Sequence, residues 1–327
     1  MAINIGSLSS VATTTLEQRL GFTSAFALPA VVFGIALAIL LLGKSKYTSV
    51  PPEGSVTTKA FQYLWLLVRS KGSFKQAKEH VSTKYSIGHT LPWDDAFAAD
   101  LYLALQACKI FAFYPFFWLA FAQISTNLVS QAGTMQTHGI PNDILIALNP
   151  ICILVLGPIC EFFIYPALNR VGIPFRPTTR ITCGFIVIGF AMAYAASLQY
   201  AIYASPPCYN YPLSRDCMGG QVPNQIHVLV QAPVYILVAV AEIFSIVTGY
   251  EYAFKQAPPS MKSLVMAMFL STAAIALALG IIISPVFSDP MLVWAYSGLS
   301  IGAMLSGGAF WAMFGRENIR KIDTEDD

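Results

Sequence analysis

The sequence predicts an all-α polytopic membrane protein, and three observations predict it. Of 327 residues, 56% are hydrophobic and only 11% are charged, against about 25% charged in soluble domains. Apolar runs near the ~20 residues needed to cross hydrocarbon recur along the chain. The connections between those runs alternate between rich and poor in Lys and Arg. A net charge of +2 gives no electrostatic case for nucleic acid, so the placement of the charges matters more than their sum.

In chain order, residues 1–13 read as a truncated transmembrane helix. A helix of that length, at about 1.5 Å per residue, falls short of the hydrocarbon thickness. The opening MAINIGSLSS carries no positive charge before its apolar core, so it does not read as a signal peptide. Residues 14–43 hold the first complete span, with its apolar run at 21–43. Residues 44–101 form a cytoplasmic linker. Within it Phe61, Leu64, Trp65 and Val68 follow helical spacing, with Lys59, Arg69 and Lys71 around them. That is an amphipathic helix, lying on the inner leaflet or packed on the protein's own cytoplasmic face. Ser86–Pro92 reads as loop. Asp94, Asp95 and Asp100 begin the next helix, where acids favour the positive end of the dipole.

Residues 102–314 form a bundle of six transmembrane helices. Its spans fall at 102–126, 143–168, 179–203, 229–253, 263–285 and 291–314, and residues 315–327 are a cytoplasmic tail. Lys44, Lys46, Lys59, Arg69, Lys71, Lys75, Lys78 and Lys84 follow the first complete span. Arg170, Arg176 and Arg180 surround the next basic connection, Lys255 and Lys262 flank another, and Arg316, Arg320 and Lys321 sit in the tail. The intervening connections near 127–142, 204–228 and 286–290 hold only Arg215, and Arg19 is the other outlier. By the positive-inside rule, residues 44–101 and the C-terminus are cytoplasmic.

The cysteines divide by place. Cys108, Cys152, Cys160 and Cys183 lie in spans, where a thiol is a small buried hydrophobe. Cys208 and Cys217 lie in the outer loop PPCYNYPLSRDC. Outside is oxidising, so they form a disulfide or stand as two free thiols. The four histidines have no spacing suited to zinc, and no metal site is expected. Gly298-Leu-Ser300-Ile-Gly302 matches a nucleophile-elbow pattern but lies mid-span. With Gly307 it reads instead as small residues that let helices approach. No phosphate loop is present, and the chain is not expected to be an enzyme or to need a cofactor.

One carboxylate lies deep in a span. Glu242 stands near the middle of PVYILVAVAEIFSIVTGYEYAF, where a charge costs about 2.5–3.5 kcal/mol on insertion scales. Ser245 and Gly249 follow it at helical spacing as a small, polar stripe. Glu242 reads as a proton site, or as a static paired or neutral acid. No mid-span cation stands ready to pair with it, since Lys109 and Arg180 lie near membrane edges. Glu161, toward the cytoplasmic end of its span, reads as pairing with Arg170, Arg176 or Arg180 to hold or gate the inner face. Glu251 and Lys255 form an ordinary i,i+4 pair. Trp118 reads as packing. Gln123 and Asn149 should face the bundle, either as interhelical glue or as substrate contacts.

These residues carry a family likeness. Ile3-Asn4-Ile5-Gly6-Ser7-Leu8 matches the end of the F-Y-x-x-I-N-x-G-S-L signature of the proton-coupled oligopeptide transporters. The chain resembles that family, part of the major facilitator superfamily, along nearly its whole length. The likeness continues through Trp118…Gln123, Leu148-Asn149-Pro150, Ala241-Glu242-Ile243-Phe244, Glu251-Tyr252 and Ala257-Pro258. The outer-loop Pro206-Pro207-Cys208-Tyr209 resembles the fungal branch.

The resemblance implies a twelve-span transporter of two halves rocking around a central site. This chain would hold the C-terminal six-helix half plus about one and a half helices of the N-terminal half. The implied function is proton-coupled symport of di- and tripeptides, with protons as the coupling ion. The implied partners are small peptides, the lipid bilayer and a missing N-terminal half, and the implied location is the plasma membrane. Glu242 matches the acid of span ten, used in proton coupling and in binding the peptide amino end. Trp118, Asn149 and Ser245 match pocket-lining positions, and Asn4 matches the amide of the signature. One departure is Ala122, where some relatives carry an acid. The E-x-x-E-R motif and the span-four lysine, the expected cationic partner of Glu242, have no counterpart here. Two alternatives stay open. One is a truncated product that does not transport, or that pairs with an intact half. The other is a family member carrying another substrate, such as nitrate.

Overall fold

The computed structural model describes residues 2–47, 56–69, 95–141, 144–172 and 175–315. The readings at Lys71, Lys75, Lys78, Lys84, Ser86–Pro92, Asp94, Arg316, Arg320, Lys321 and the rest of the tail lie outside the described residues, as do the side chains of Leu64, Val68, Arg69 and Asp95.

Among the described residues, seven helices are long and apolar enough to cross a membrane. They are α3 (Phe22–Leu42), α5 (Ala96–Gly133), α6 (Ile144–Arg170), α7 (Pro177–Ala204), α8 (Val228–Gln256), α9 (Pro259–Val286) and α10 (Leu292–Gly315). They are preceded by α1 (Ala2–Ser7) and α2 (Ser9–Leu20), and α4 is Val56–Arg69. Much of the surface is large and apolar: α3 exposes Phe26, Phe33 and Leu40, and α9 exposes Ile275, Ile281 and Ile282. Helices apolar all round suit a lipid solvent.

The first helical stretch does not end at residue 13. It continues to Leu20, with the hydroxyls of Thr13 and Thr15 bonded back to carbonyls of the preceding turn. The break comes at Gly21, whose φ of 85° suits glycine alone. Helix α5 likewise begins before residue 102 and runs past 126. Thr126 Oγ1 donates to the Ala122 carbonyl and Asn127 Nδ2 to Gln123 Oε1, so these polar residues are satisfied by the turn before them.

The helices fall into two compact units. The first comprises residues 1–45, 112–249 and 272–327. Its hub is α7, with Phe185, Ile188, Met192 and Ala195 fully buried, packed on α8 and α10. The approach is closest where side chains are absent. A Cβ on Gly184 would lie 2.2 Å from Ser245 Oγ, and one on Gly307 would lie 2.7 Å from Phe185 Cβ. Ser300 Oγ donates to the Gly189 carbonyl at 2.8 Å. The small-residue reading of α10 therefore holds for Ser300 and Gly307. Gly298 and Gly302 have nothing within 4 Å of an added Cβ and instead face a cavity of about 300 Å³ lined by Phe116, Val286 and Trp294. Helix α1 packs along α6, and α2 along the first turn of α6.

Two short parallel strands depart from the all-α pattern, β1 (Met135–Gln136) and β2 (Asn224–His227). Asn224, fully buried, organises this end. Its Nδ2 donates to the carbonyls of Ile202 and Tyr209, and its Oδ1 accepts from Cys208 N–H. Cys208 and Cys217 are joined in a disulfide with Cα atoms 5.7 Å apart. The span cysteines are free thiols.

The second unit comprises residues 46–111 and 250–271. Its centre is aromatic: Phe111 lies 5.1 Å from Phe269 and 6.5 Å from Tyr252, and Tyr250 lies 5.0 Å from Phe269. Lys255 pairs with Glu251 at 2.5 Å. On α4, Ala60 and Tyr63 are the buried residues, whereas Phe61 and Trp65 are 71% and 62% exposed. The edge turned to protein is thus Ala60 and Tyr63, and the exposure of Phe61 and Trp65 agrees with the inner-leaflet reading of this helix rather than with packing on protein.

Candidate functional site

Helices α6 and α8 lie side by side in the first unit. A small apolar cluster joins them, built from Ile153, Cys160 and Tyr165 of α6 and Ala239 and Ile243 of α8. Beside it the two helices exchange one polar contact: Asn149 Nδ2 donates to Glu242 Oε2 at 3.2 Å. Asn149 is 6% exposed and Glu242 half-buried. Among the described residues Glu242 forms no ion pair, and the Asn149 amide is its hydrogen-bond partner. An apolar flank and a single neutral donor make a costly place for a fixed charge. They suit a group that gains and loses a proton or meets a cation.

Helix α8 loosens at this contact, and α6 loosens eleven residues beyond Asn149. Helix α8 passes into a π turn at Ile243–Val247, immediately after Glu242. Helix α6 has one at Cys160–Ile164. Such turns recur at functional sites, because the extra residue re-aims the side chains that follow.

That re-aiming moves Ser245 away from Glu242. The i+3 spacing predicts a shared face, but the wider π turn rotates Ser245 onto α7. There it is fully buried, and its Oγ donates to the Ile181 carbonyl at 3.1 Å. Its own carbonyl accepts from Tyr114 Oη at 2.9 Å. Ser245 is a packing residue in this structure, not a wall of the Glu242 site. Trp118 Nε1 donates to Thr272 Oγ1 of α9 at 3.0 Å. Gln123 bonds within its own helix, donating to the Leu119 carbonyl and accepting from Asn127. With Asn127 it lines a cavity of about 350 Å³. Asn4 is half-buried on α1, along the helix that carries Asn149.

The expected inner-face pairing of Glu161 is not formed. Among the described residues Glu161 has no ion pair, and both it and Arg170 are exposed. Arg180 is taken elsewhere: its guanidinium stacks 3.8 Å over the Tyr165 ring and its Nε donates to the Phe175 carbonyl. An arginine engaged by an aromatic face and a carbonyl has no need of the acid. Tyr114 and Thr272 were not read from the sequence, since their partners lie 131 and 154 residues away. Among the described residues no group of three or more His, Cys, Asp or Glu could hold a metal ion.

A bundle of apolar helices, with a carboxylate and an amide meeting across two of them, defines the class: a multi-pass helical membrane protein with an internal ionisable group. The PTR2 family model, described as the POT family, matches residues 1–300. The chain belongs to that family. It is 43% identical over 321 residues to the peptide transporter PTR_B of Candidozyma auris, covering 98% of this chain and 54% of that protein. To the peptide transporter PTR2 of Saccharomyces cerevisiae it is 41% identical over 325 residues, covering 99% and 52%. The chain spans about half the length of the curated relatives it matches, and those relatives are transporters, not enzymes. Among solved structures, the in meso crystal structure of the POT family transporter PepTSo matches with a TM-score of 0.72 at 20% identity, covering 96% of this chain and 69% of that one. An auto-inhibited POT family peptide transporter matches with a TM-score of 0.66 at 23% identity, covering 96% and 68%. Those two likenesses show the fold alone, a bundle of apolar helices like that of the POT family transporters.

Proposed function

We propose that this chain forms the C-terminal part of a proton-coupled symporter of di- and tripeptides, with Glu242 as its proton-exchanging and amino-end-binding group. The observation that carries this reading is the Asn149–Glu242 contact between α6 and α8, set in a chain that the family model matches over residues 1–300. A half-buried carboxylate whose described partner is one neutral donor can be discharged by a proton from outside. After losing that proton it can receive the ammonium of a peptide, which brings its own three donors. Trp118, held by Thr272, and Asn4, on the helix beside α6, would line the peptide pocket that the family resemblance implies. Protons are the coupling ion and no other cofactor is required. The Lys and Arg alternation supports a cytoplasmic C-terminus, and a peptide-importing role fits the plasma membrane. In a protein of the relatives' length, the preceding segment would supply the facing wall and a cation for Glu242.

The test is dipeptide uptake under an imposed proton gradient, in a chain completed to the relatives' length. Glu242→Gln should abolish gradient-driven uptake while leaving membrane insertion intact. Unchanged gradient-driven uptake would remove Glu242 from coupling. Uptake by the 327-residue chain alone would show that it is sufficient or self-associates. No uptake alone, with recovery on co-expression of an N-terminal half, would show that it works by pairing. Nitrate uptake without peptide uptake would overturn the substrate class.

A further inference from the structure

Helices α5, α7 and α8 each carry a glutamine into the interior close to a helix end. Gln131, near the end of α5, is buried, and Gln199, near the end of α7, and Gln231, in the first turn of α8, are fully buried. Their amides join into one chain. Gln231 Nε2 donates to the Leu128 carbonyl at 2.7 Å and to Gln131 Oε1 at 2.9 Å. Gln131 Nε2 donates in turn to the Ala195 carbonyl at 3.2 Å and to Gln199 Oε1 at 2.8 Å.

The two backbone carbonyls fix the order of atoms in that chain. Turning the Gln231 amide over would set its oxygen against the Leu128 carbonyl, and turning the Gln131 amide would do the same at Ala195. Gln199 must then offer its oxygen to Gln131. The chain therefore ends on an N–H donor at Gln199 Nε2 and on a carbonyl acceptor at Gln231 Oε1. Among the described residues neither atom has a hydrogen-bond partner, and both are closed off from the surface.

A third such atom lies beside them. Tyr296 of α10 is fully buried, and among the described residues its Oη has no hydrogen-bond partner. Its phenol is close enough to those of Tyr203 and Tyr235 to act on them electrostatically. Tyr203 stands one turn after Gln199 on α7, and Tyr235 one turn after Gln231 on α8, so Tyr296 lies at the level of both glutamines. The Tyr203 hydroxyl is within electrostatic reach of the Gln199 amide but donates to Asp289 Oδ1 in the α9–α10 connection.

An unpaired buried polar group is costly, and protein interiors satisfy such groups with protein partners or with ordered water. The signs of the three atoms decide what fits. A cation would suit Gln231 Oε1 but not the Gln199 N–H, and an anion would suit the reverse. Water does both, since it donates to a carbonyl and accepts from N–H or O–H, and a buried water makes about three such bonds.

We propose that the end of the bundle where α5, α7, α8 and α10 meet binds ordered water on Gln199 Nε2, Gln231 Oε1 and Tyr296 Oη. Gln131 holds the two other glutamines in register for it. All four residues lie within two turns of a helix end, which in the proposed orientation is the outer one, so the path to solvent is short. The site needs neither transport nor a facing half, and it stands whether or not Glu242 couples protons.

The experiment is X-ray hydroxyl-radical footprinting of the full 327-residue chain in lipid nanodiscs, equilibrated in ¹⁸O-labelled water and read by mass spectrometry. Radicals made from a bound water oxidise the side chain beside it even where bulk solvent does not reach. Tyr296 should gain the label, whereas Tyr114, equally buried but bonded to the Ser245 carbonyl, should not. Gln231→Leu and Gln199→Leu, which remove the acceptor and the donor, should each lower the Tyr296 label in a folded chain. Tyr296 as protected as Tyr114 in the unaltered chain would overturn the proposal, whether or not either variant folds. So would a Tyr296 label unchanged in both folded variants. A label matched by the fully buried Met192 of α7, after correction for side-chain reactivity, would also overturn it, because the bundle would then be opening to bulk solvent.

Discussion

Substituting Gly184 by alanine tests the contact that positions the Glu242 helix. The new Cβ would lie 2.2 Å from Ser245 Oγ and 2.9 Å from both Cβ and backbone N of Ser245. A hydroxyl can rotate away, but the backbone nitrogen cannot. Ordinary contact begins near 3.4 Å, so α8 must retreat from α7 by about half an ångström at the start of its π turn. Retreat stretches the Ser245–Ile181 bond beyond its present 3.1 Å. Overpacking costs about 1–3 kcal/mol, and a lost hydrogen bond about 0.5–1.5 kcal/mol.

Alanine also gains roughly 1 kcal/mol over glycine in a helix interior, so the proper control carries the same gain. Gly298→Ala, on α10, meets nothing within 4 Å. The propensity term cancels between the two variants, which leaves Gly184→Ala less stable than Gly298→Ala by about 1.5–4.5 kcal/mol. Denaturant unfolding of the solubilised chain measures it, followed by circular dichroism and by the reactivity of the free buried thiol at Cys160. Equal stability of the two variants would refute the close α7–α8 approach, and with it the account of why Ser245 is turned from Glu242.

Three further outcomes follow from other contacts. Asn149→Leu removes the described partner of Glu242 and should cost about 1.5–3 kcal/mol, as for hydrogen bonds to charged groups. In a Glu242→Gln background the same change should cost less, and a double-mutant cycle with no coupling would count against the contact. Asp289 has a raised folded-state value. Its contribution to stability is therefore fully present below the unfolded aspartate value of about 3.9 and is lost as pH rises through the folded value. Asp289→Asn should remove that decline from a stability–pH series, and an unchanged series would refute the sign. Replacing Cys208 and Cys217 by Ser opens a loop with a sequence separation of 9, for which chain entropy predicts a loss of about 3 kcal/mol. Peptide mapping without reductant reads the bond directly.

What the sequence could and could not reveal follows from the range of each cause. A membrane span is set by some twenty consecutive side chains and the solvent, so the seven spans are legible by composition alone, as is the i,i+4 pair Glu251–Lys255. Glu242 is legible for the same reason: an acid in an apolar run is improbable unless it has a task. Its neighbours are not. The i+3 argument placed Ser245 beside it by assuming 3.6 residues per turn, and the π turn at Ile243–Val247 breaks that assumption. Only the packing of Ser245 against Gly184, 61 positions away in the chain, shows which face it takes. Glu161 was given arginine partners by nearness in sequence, yet Arg180 is spent on Tyr165 and Phe175, a choice fixed by ring placement.

Asp289 is the converse case. An acid beside a proline in a short connection reads as solvated, and nothing local says otherwise. It is half-buried instead, because the turn lays it on Tyr203, 86 residues earlier. Helical spans are written in runs of sequence, whereas the partners of a carboxyl are written in which runs meet. The Asn149–Glu242 and Tyr203–Asp289 contacts are both such meetings. Each joins residues about ninety positions apart, and each holds a carboxyl that no described cation neutralises. Neither contact is displayed by its own neighbourhood in the sequence.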